Sequence, residues 1–184
     1  MKELSLNLLD IVQNSVKAGA SVIEMEICES VSEDQLTMRV VDNGSGMDED
    51  FLAKVCDPFV TSRTTRKVGL GIPLLKMEAE SCGGSFEITS KLGSGTSVTA
   101  RFGLSHLDRK PLGDIPSTLA AIVGAKDDIR YIYRHTTDEG SFTLDTDELH
   151  QVLGEDIALS EPEILSWISD FVQDNLNEIK GGYI

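Results

Sequence analysis

A chain of 184 residues with 40% hydrophobic content is long enough to bury a substantial core. Its formal net charge of −15 argues against binding a nucleic-acid backbone, because such affinity comes mainly from clustered Lys and Arg. With no run of eighteen apolar residues and no basic-then-apolar leader, the expectation is a soluble, cytoplasmic protein without membrane association. Cys28, Cys56 and Cys82 lie far apart in no metal-ligand spacing, and an odd number of them predicts free buried thiols. Residues 1–103 hold 15 acids and 10 bases, whereas residues 104–184 hold 16 acids and 6 bases, which points to two parts with different surfaces.

From the N-terminus, Leu4, Leu8, Ile11, Val12 and Val16 form a helical stripe over Leu4–Lys17, suited to facing a sheet. Off that stripe, Asp10, Asn14 and Lys17 follow one another at one-turn spacing. An acid, an amide and an ammonium in file match a metal-bound polyphosphate. The amide oxygen suits Mg²⁺, the ammonium offsets phosphate charge, and the acid orients a water or hydroxyl; a solvated helix face is the plainer alternative. Gly19 ends the helix.

Alternation predicts a strand over Val22–Ile27, and the polar stretch Glu29–Gln35 turns the chain into a second strand, Leu36–Val41. That strand runs into Asp42-Asn43-Gly44-Ser45-Gly46. An ionised Asp42 at a strand end accepts from the exocyclic amine of a base, and Gly44 and Gly46 leave room for a flat ring. Read alone, the same residues also make an ordinary Asp-Asn-Gly turn. A short helix, Asp48–Val55, breaks at Asp57-Pro58-Phe59.

Thr61–Lys67 contains three bases and four hydroxyl residues, with no acid and no apolar side chain, which fits either a lid ordered by phosphates or a polar loop. Gly69-Leu70-Gly71 opens an apolar-periodic helix with Pro73 in its first turn, and a glycine-flanked helix start presents free N–H groups to phosphate. It ends at Cys82-Gly83-Gly84. Ser85–Ser90 and Ser97–Phe102 predict a hairpin; Thr96, at the exit of its loop, meets Asp42 if the two strands are neighbours.

These segments resemble, in order, the N, G1, F, G2 and G3 boxes of the GHKL, or Bergerat, ATP-binding fold, found in histidine kinases, gyrase-type topoisomerases, mismatch-repair ATPases and anti-sigma-factor kinases. The resemblance covers Leu4–Phe102 and implies an α+β fold: a two-layer α/β sandwich with a mixed, mostly antiparallel sheet and helices on one face. It further implies ATP and Mg²⁺ as cofactors, with Asn14 as metal ligand and Lys17 on phosphate. Asp42 reads adenine, with Gly44 and Gly46 beside the base and Thr96 completing the pocket. Phe59 falls in the F-box, Thr61 and Arg63 in the lid, and Gly69, Leu70 and Gly71 hold the triphosphate. Asp10 takes the catalytic position where several relatives carry a glutamate. It is shorter by a methylene, which sets the carboxylate back by about 1 Å, and misplacement of that order costs on the order of a hundredfold in rate.

A histidine kinase also carries a phospho-acceptor His ahead of this fold. Here the resemblance begins at residue 4, and His106, His135 and His150 all follow it, which predicts a stand-alone domain with surface or core histidines and no autophosphorylation. The expected organisation is an ATP-binding domain at 1–103, a linker at 104–116 and an acidic extension at 117–184 with a helix, a hairpin and two capped helices. Asp145 and Glu148 start the first of those two helices, and Ser160 with Glu163 forms a capping box for the second. A calcium-loop reading around Gly140 fails, because it puts His135 and Thr146 at ligand positions.

The expected function is an ATP–Mg²⁺-binding regulator that phosphorylates, or gates by nucleotide, a partner protein. A slow ATPase of the mismatch-repair or topoisomerase type and a nucleotide-free binding module on the same fold stand as alternatives.

Overall fold

A computed structural model describes residues 3–56, 71–154 and 157–179. Helix α1 spans Leu4–Lys17 and buries Leu4, Leu8, Ile11 and Val12, the predicted stripe; Gly19, with φ of +74°, turns the chain out of it. Strands β1 (Val22–Ser30) and β2 (Gln35–Asp42) form an antiparallel hairpin. Helix α2 (Glu49–Val55) is capped by Asp48, whose Oδ1 accepts the Phe51 N–H at 2.8 Å. Helix α3 (Gly71–Ser81) leads to the hairpin β3 (Ser85–Lys91) and β4 (Gly95–Gly103). Then come α4 (Ile115–Ala125), β5 (Arg130–Thr137), β6 (Ser141–Asp145), α5 (Thr146–Leu153) and α6 (Pro162–Ile179).

Among the described residues the strands make one sheet in the order β3-β4-β2-β1-β5-β6, antiparallel at every pairing except β1 with β5. One face is buried through Ile23, Met25, Ile27, Met38, Val40 and Phe102, which alternate with exposed or half-buried neighbours as a half-buried strand requires. The opposite face stays in water and carries the ion pairs Arg39 with Glu26 and Arg101 with Glu87. The architecture is the expected α+β sandwich with a mixed sheet.

Four local expectations meet a different outcome. Residues 104–116, read as a linker, run along the start of α1: the Leu4 and Ser5 N–H groups donate to the Pro111 and Leu112 carbonyls, and Leu104 and Leu112 are buried. The segment read as an extension places β5 beside β1 over Val22–Glu29, so the sheet continues across residue 103. The Ser160 capping box does not form. α6 starts at Pro162, which makes residue 161 the cap position and leaves Ser160 one residue outside the helix, where its hydroxyl donates to Asp127 Oδ2 at 3.1 Å. Of the three free thiols only Cys82 is fully buried. Cys28 and Cys56 are half-buried; partial burial, with acidic neighbours beside Cys28, pushes both thiols above their usual range.

Candidate functional site

The β2–β4 register sets Asp42 opposite Thr96, and the β3–β4 register sets Ser90 opposite Thr96. Directly paired residues share a sheet face, so all three side chains project toward α1 and α3. Asp42 is buried at 8% exposure, yet both its oxygens are held: Ser15 donates to Oδ2 at 2.6 Å and the Gly44 N–H donates to Oδ1 at 2.9 Å. A carboxylate fixed this way keeps spare lone pairs for a further donor.

Those lone pairs face a cavity of about 530 Å³ between α1 and the sheet. Its walls are apolar at Ile11, Val40, Met47, Phe51, Ile72 and Val98, with polar groups at Asn14, Lys17, Asp42 and Thr96. This is the composition of a small-molecule site, in which greasy walls take a flat group and a few polar atoms orient it.

Glycines let the floor of the cavity be built from backbone. Gly46 has φ of +63°, and a Cβ there would run into the Lys91 carbonyl; Gly95, with φ of +98°, meets the Asp42 carbonyl in the same way. The loop after β2 and the β3–β4 turn thus cross at backbone contact, and the Gly93 N–H donates to the Ser45 carbonyl at 2.7 Å. Midway along α1, a Cβ on Gly71 would lie 2.9 Å from Asp10 Oδ2, so the carboxylate of Asp10 sits against the first residue of α3.

The structure therefore gathers Asn14, Lys17, Asp42, Gly46 and Thr96 on one cavity, with Gly44 behind Asp42 and Asp10 against Gly71. Phe59, Thr61, Arg63, Gly69 and Leu70 lie outside the described residues. Three residues at the site were not foreseen. Ser15 orients Asp42. Asn43 accepts the Ser21 and Val22 N–H groups, at 2.9 and 3.0 Å, and ties the loop to β1. Ser90 accepts the Met47 N–H and meets Thr96 Oγ1, both at 2.9 Å. A pattern search could have found Ser15, which follows Asn14 in the first motif.

A second buried polar cluster lies elsewhere on the same face. Tyr133 Oη is 2.7 Å from His135 Nδ1, and His135 Nε2 is 2.9 Å from Glu29 Oε1. Burial, with Glu29 adding to it, pushes the Tyr133 hydroxyl well above its ordinary range. Among the described residues no group of three or more His, Cys, Asp or Glu could hold a metal ion, and no helix is long and apolar enough to cross a membrane.

The fold and the cavity together define an α+β protein with a small-molecule cleft between its first helix and a mixed sheet. The sequence family described as histidine kinase-, DNA gyrase B- and HSP90-like ATPase matches residues 2–106, and the chain belongs to it. It is 30% identical over 116 residues to the non-motile and phage-resistance protein of Caulobacter vibrioides, covering 60% of this chain and 14% of that one. To sporulation kinase D of Bacillus subtilis it is 30% identical over 92 residues, covering 50% and 18%. The chain spans less than a fifth of the length of these curated relatives. Among solved structures it is similar to the Aquifex aeolicus MutL ATPase domain complexed with ADP, with a TM-score of 0.49 and 16% identity over 83% of this chain and 69% of that one.

Proposed function

We propose that the cavity binds ATP as its magnesium complex and that the chain acts on a partner protein, either by transferring the γ-phosphoryl group to it, with ADP left behind, or by gating its binding through the bound nucleotide. The observation that carries this is Asp42: a buried carboxylate, held at both oxygens and opening on an apolar slot beside Thr96. An exocyclic amine satisfies that acceptor while the ring fills the slot.

Asn14 fits the metal. It lines the cavity half-buried and offers a neutral oxygen, and Mg²⁺ bound chiefly through phosphates and water needs only one or two protein ligands. When bound, the ion offsets the charge of the phosphates. Lys17 stands one turn further along α1 for the remaining phosphate charge, and Gly71 begins α3, whose N–H groups favour anions. Asp10, against Gly71, is the residue placed to orient an attacking hydroxyl or water. The similarity to sporulation kinase D supports phosphoryl transfer to a partner as the reaction.

Titration calorimetry of the protein with ADP or ATP and Mg²⁺ tests the reading. Wild type is expected to bind in the micromolar to millimolar range, and Asp42→Ala to lose on the order of a hundredfold in affinity, the loss of a charge-assisted hydrogen bond in a buried site. No heat from wild type at millimolar nucleotide sinks the proposal. Transfer of labelled γ-phosphate onto a candidate partner, unchanged in Asp10→Asn, would remove Asp10 from its role.

A further inference from the structure

The Ser90 hydroxyl ties two residues that line the cavity, Met47 and Thr96, to the β3–β4 turn at Gly95. It lies 2.9 Å from the Met47 nitrogen, 2.9 Å from the Gly95 carbonyl oxygen and 2.9 Å from Thr96 Oγ1. A serine has one proton to give and two lone pairs to receive. The Met47 N–H can only donate and the Gly95 carbonyl can only accept, so Ser90 receives from Met47 and gives its proton to Gly95. One lone pair is left, and Thr96 fills it by donating its own proton.

We infer that Ser90 is a positioning residue that fixes the polarity of Thr96, turning its oxygen to the cavity as an acceptor and making the site select a 6-amino purine over a 6-oxo purine. With its proton committed to Ser90, Thr96 presents lone pairs beside the acceptor-only carboxylate of Asp42, its partner across β2–β4. Two acceptors side by side welcome an amine. Aimed at the 6-position, they repel a carbonyl oxygen, which neither can satisfy. Without Ser90, the Thr96 hydroxyl is free to rotate and donate, and the penalty on the oxo ring shrinks.

The inference rests on the nucleotide reading above and sharpens it to base selectivity. Its test is the ratio of ADP to IDP affinity, measured by calorimetry on the full chain. Wild type is expected to prefer ADP by on the order of a hundredfold, and Ser90→Ala to narrow that ratio about tenfold. Thr96→Val narrows it by a similar factor, and the double variant goes no further, because Ser90 acts through Thr96. Ser90→Thr keeps the hydroxyl and the wild-type ratio. Ser90→Cys keeps the bulk with weak hydrogen bonding and follows alanine, which separates the effect from packing should alanine fold poorly.

A folded Ser90→Ala or Ser90→Cys protein with the wild-type ratio overturns the inference. So do single-variant effects that multiply in the double variant. A wild type that binds ADP and IDP equally overturns it while leaving the nucleotide site standing; a wild type that binds neither takes both away.

Discussion

Two buried polar clusters share the helix-covered face of one sheet, and they use their hydrogen bonds in opposite ways. Asp42 is held by Ser15 and Gly44 and still opens on a cavity. Glu29, His135 and Tyr133 bond to one another, with Glu29 and His135 at 3% and 0% exposure. Along β1, Glu29 lies six positions beyond Ile23, the cross-strand partner of Asp42, which sets the clusters about 20 Å apart. The difference teaches that burial of charge does not mark a site by itself. What marks one is an oriented acceptor with capacity left over and space in front of it. The inward-facing cluster instead joins β1 to β5, fastening the C-terminal strands in register.

The largest effect that sharpens this contrast is expected from His135→Ala. It strands Glu29 and Tyr133 without their shared partner and leaves a cavity, which should cost about 3–5 kcal/mol in urea unfolding. Nucleotide affinity of the folded protein should stay within about twofold. A comparable loss of affinity would mean the clusters are coupled and the contrast is false.

Ser15→Ala should do the reverse on a smaller scale. Removing the 2.6 Å hydrogen bond to Asp42 loosens the carboxylate and should weaken ADP binding about tenfold, with a smaller change in melting temperature. Unchanged affinity would show that the Gly44 N–H alone orients Asp42.

The smallest effect concerns a third polar contact, at the half-exposed edge. Arg130 donates to both oxygens of Asp145, at 3.1 and 2.6 Å, and that hydrogen bond is the main reason the Asp145 carboxyl titrates below its ordinary 3.8. A depressed folded pKa gives stability that is present above the unfolded value and lost as pH falls through the folded one. Arg130→Ala should therefore lower stability slightly at pH 7, with the gap from wild type closing as pH falls below about 4. A gap independent of pH would assign the loss to packing.

Much of the sheet was legible because its signals are local. Apolar spacing and Gly19 bounded α1 at the observed residues, and alternation located the β1–β2 and β3–β4 hairpins to within a few residues. Asp42 and Thr96 were expected to meet only if their strands were neighbours, and the β2–β4 register pairs them directly. The parallel pairing of β1 with β5 had no such signal, since the partners, such as Val22 and Arg130, are joined by no turn and a parallel register leaves no mark on nearby residues. Ser15 and Ser90 escaped for a different reason. A serine hydroxyl takes its meaning from the atoms around it, and these come from distant segments.

The family match ends near residue 106, whereas the sheet does not. A chain cut after Gly103 would keep every matched motif but strip β5 from β1, uncovering a row of main-chain donors and acceptors along eight residues in the middle of the sheet. Such a freshly exposed edge invites intermolecular strand pairing, so the shortest piece carrying the motifs would be prone to stick to copies of itself.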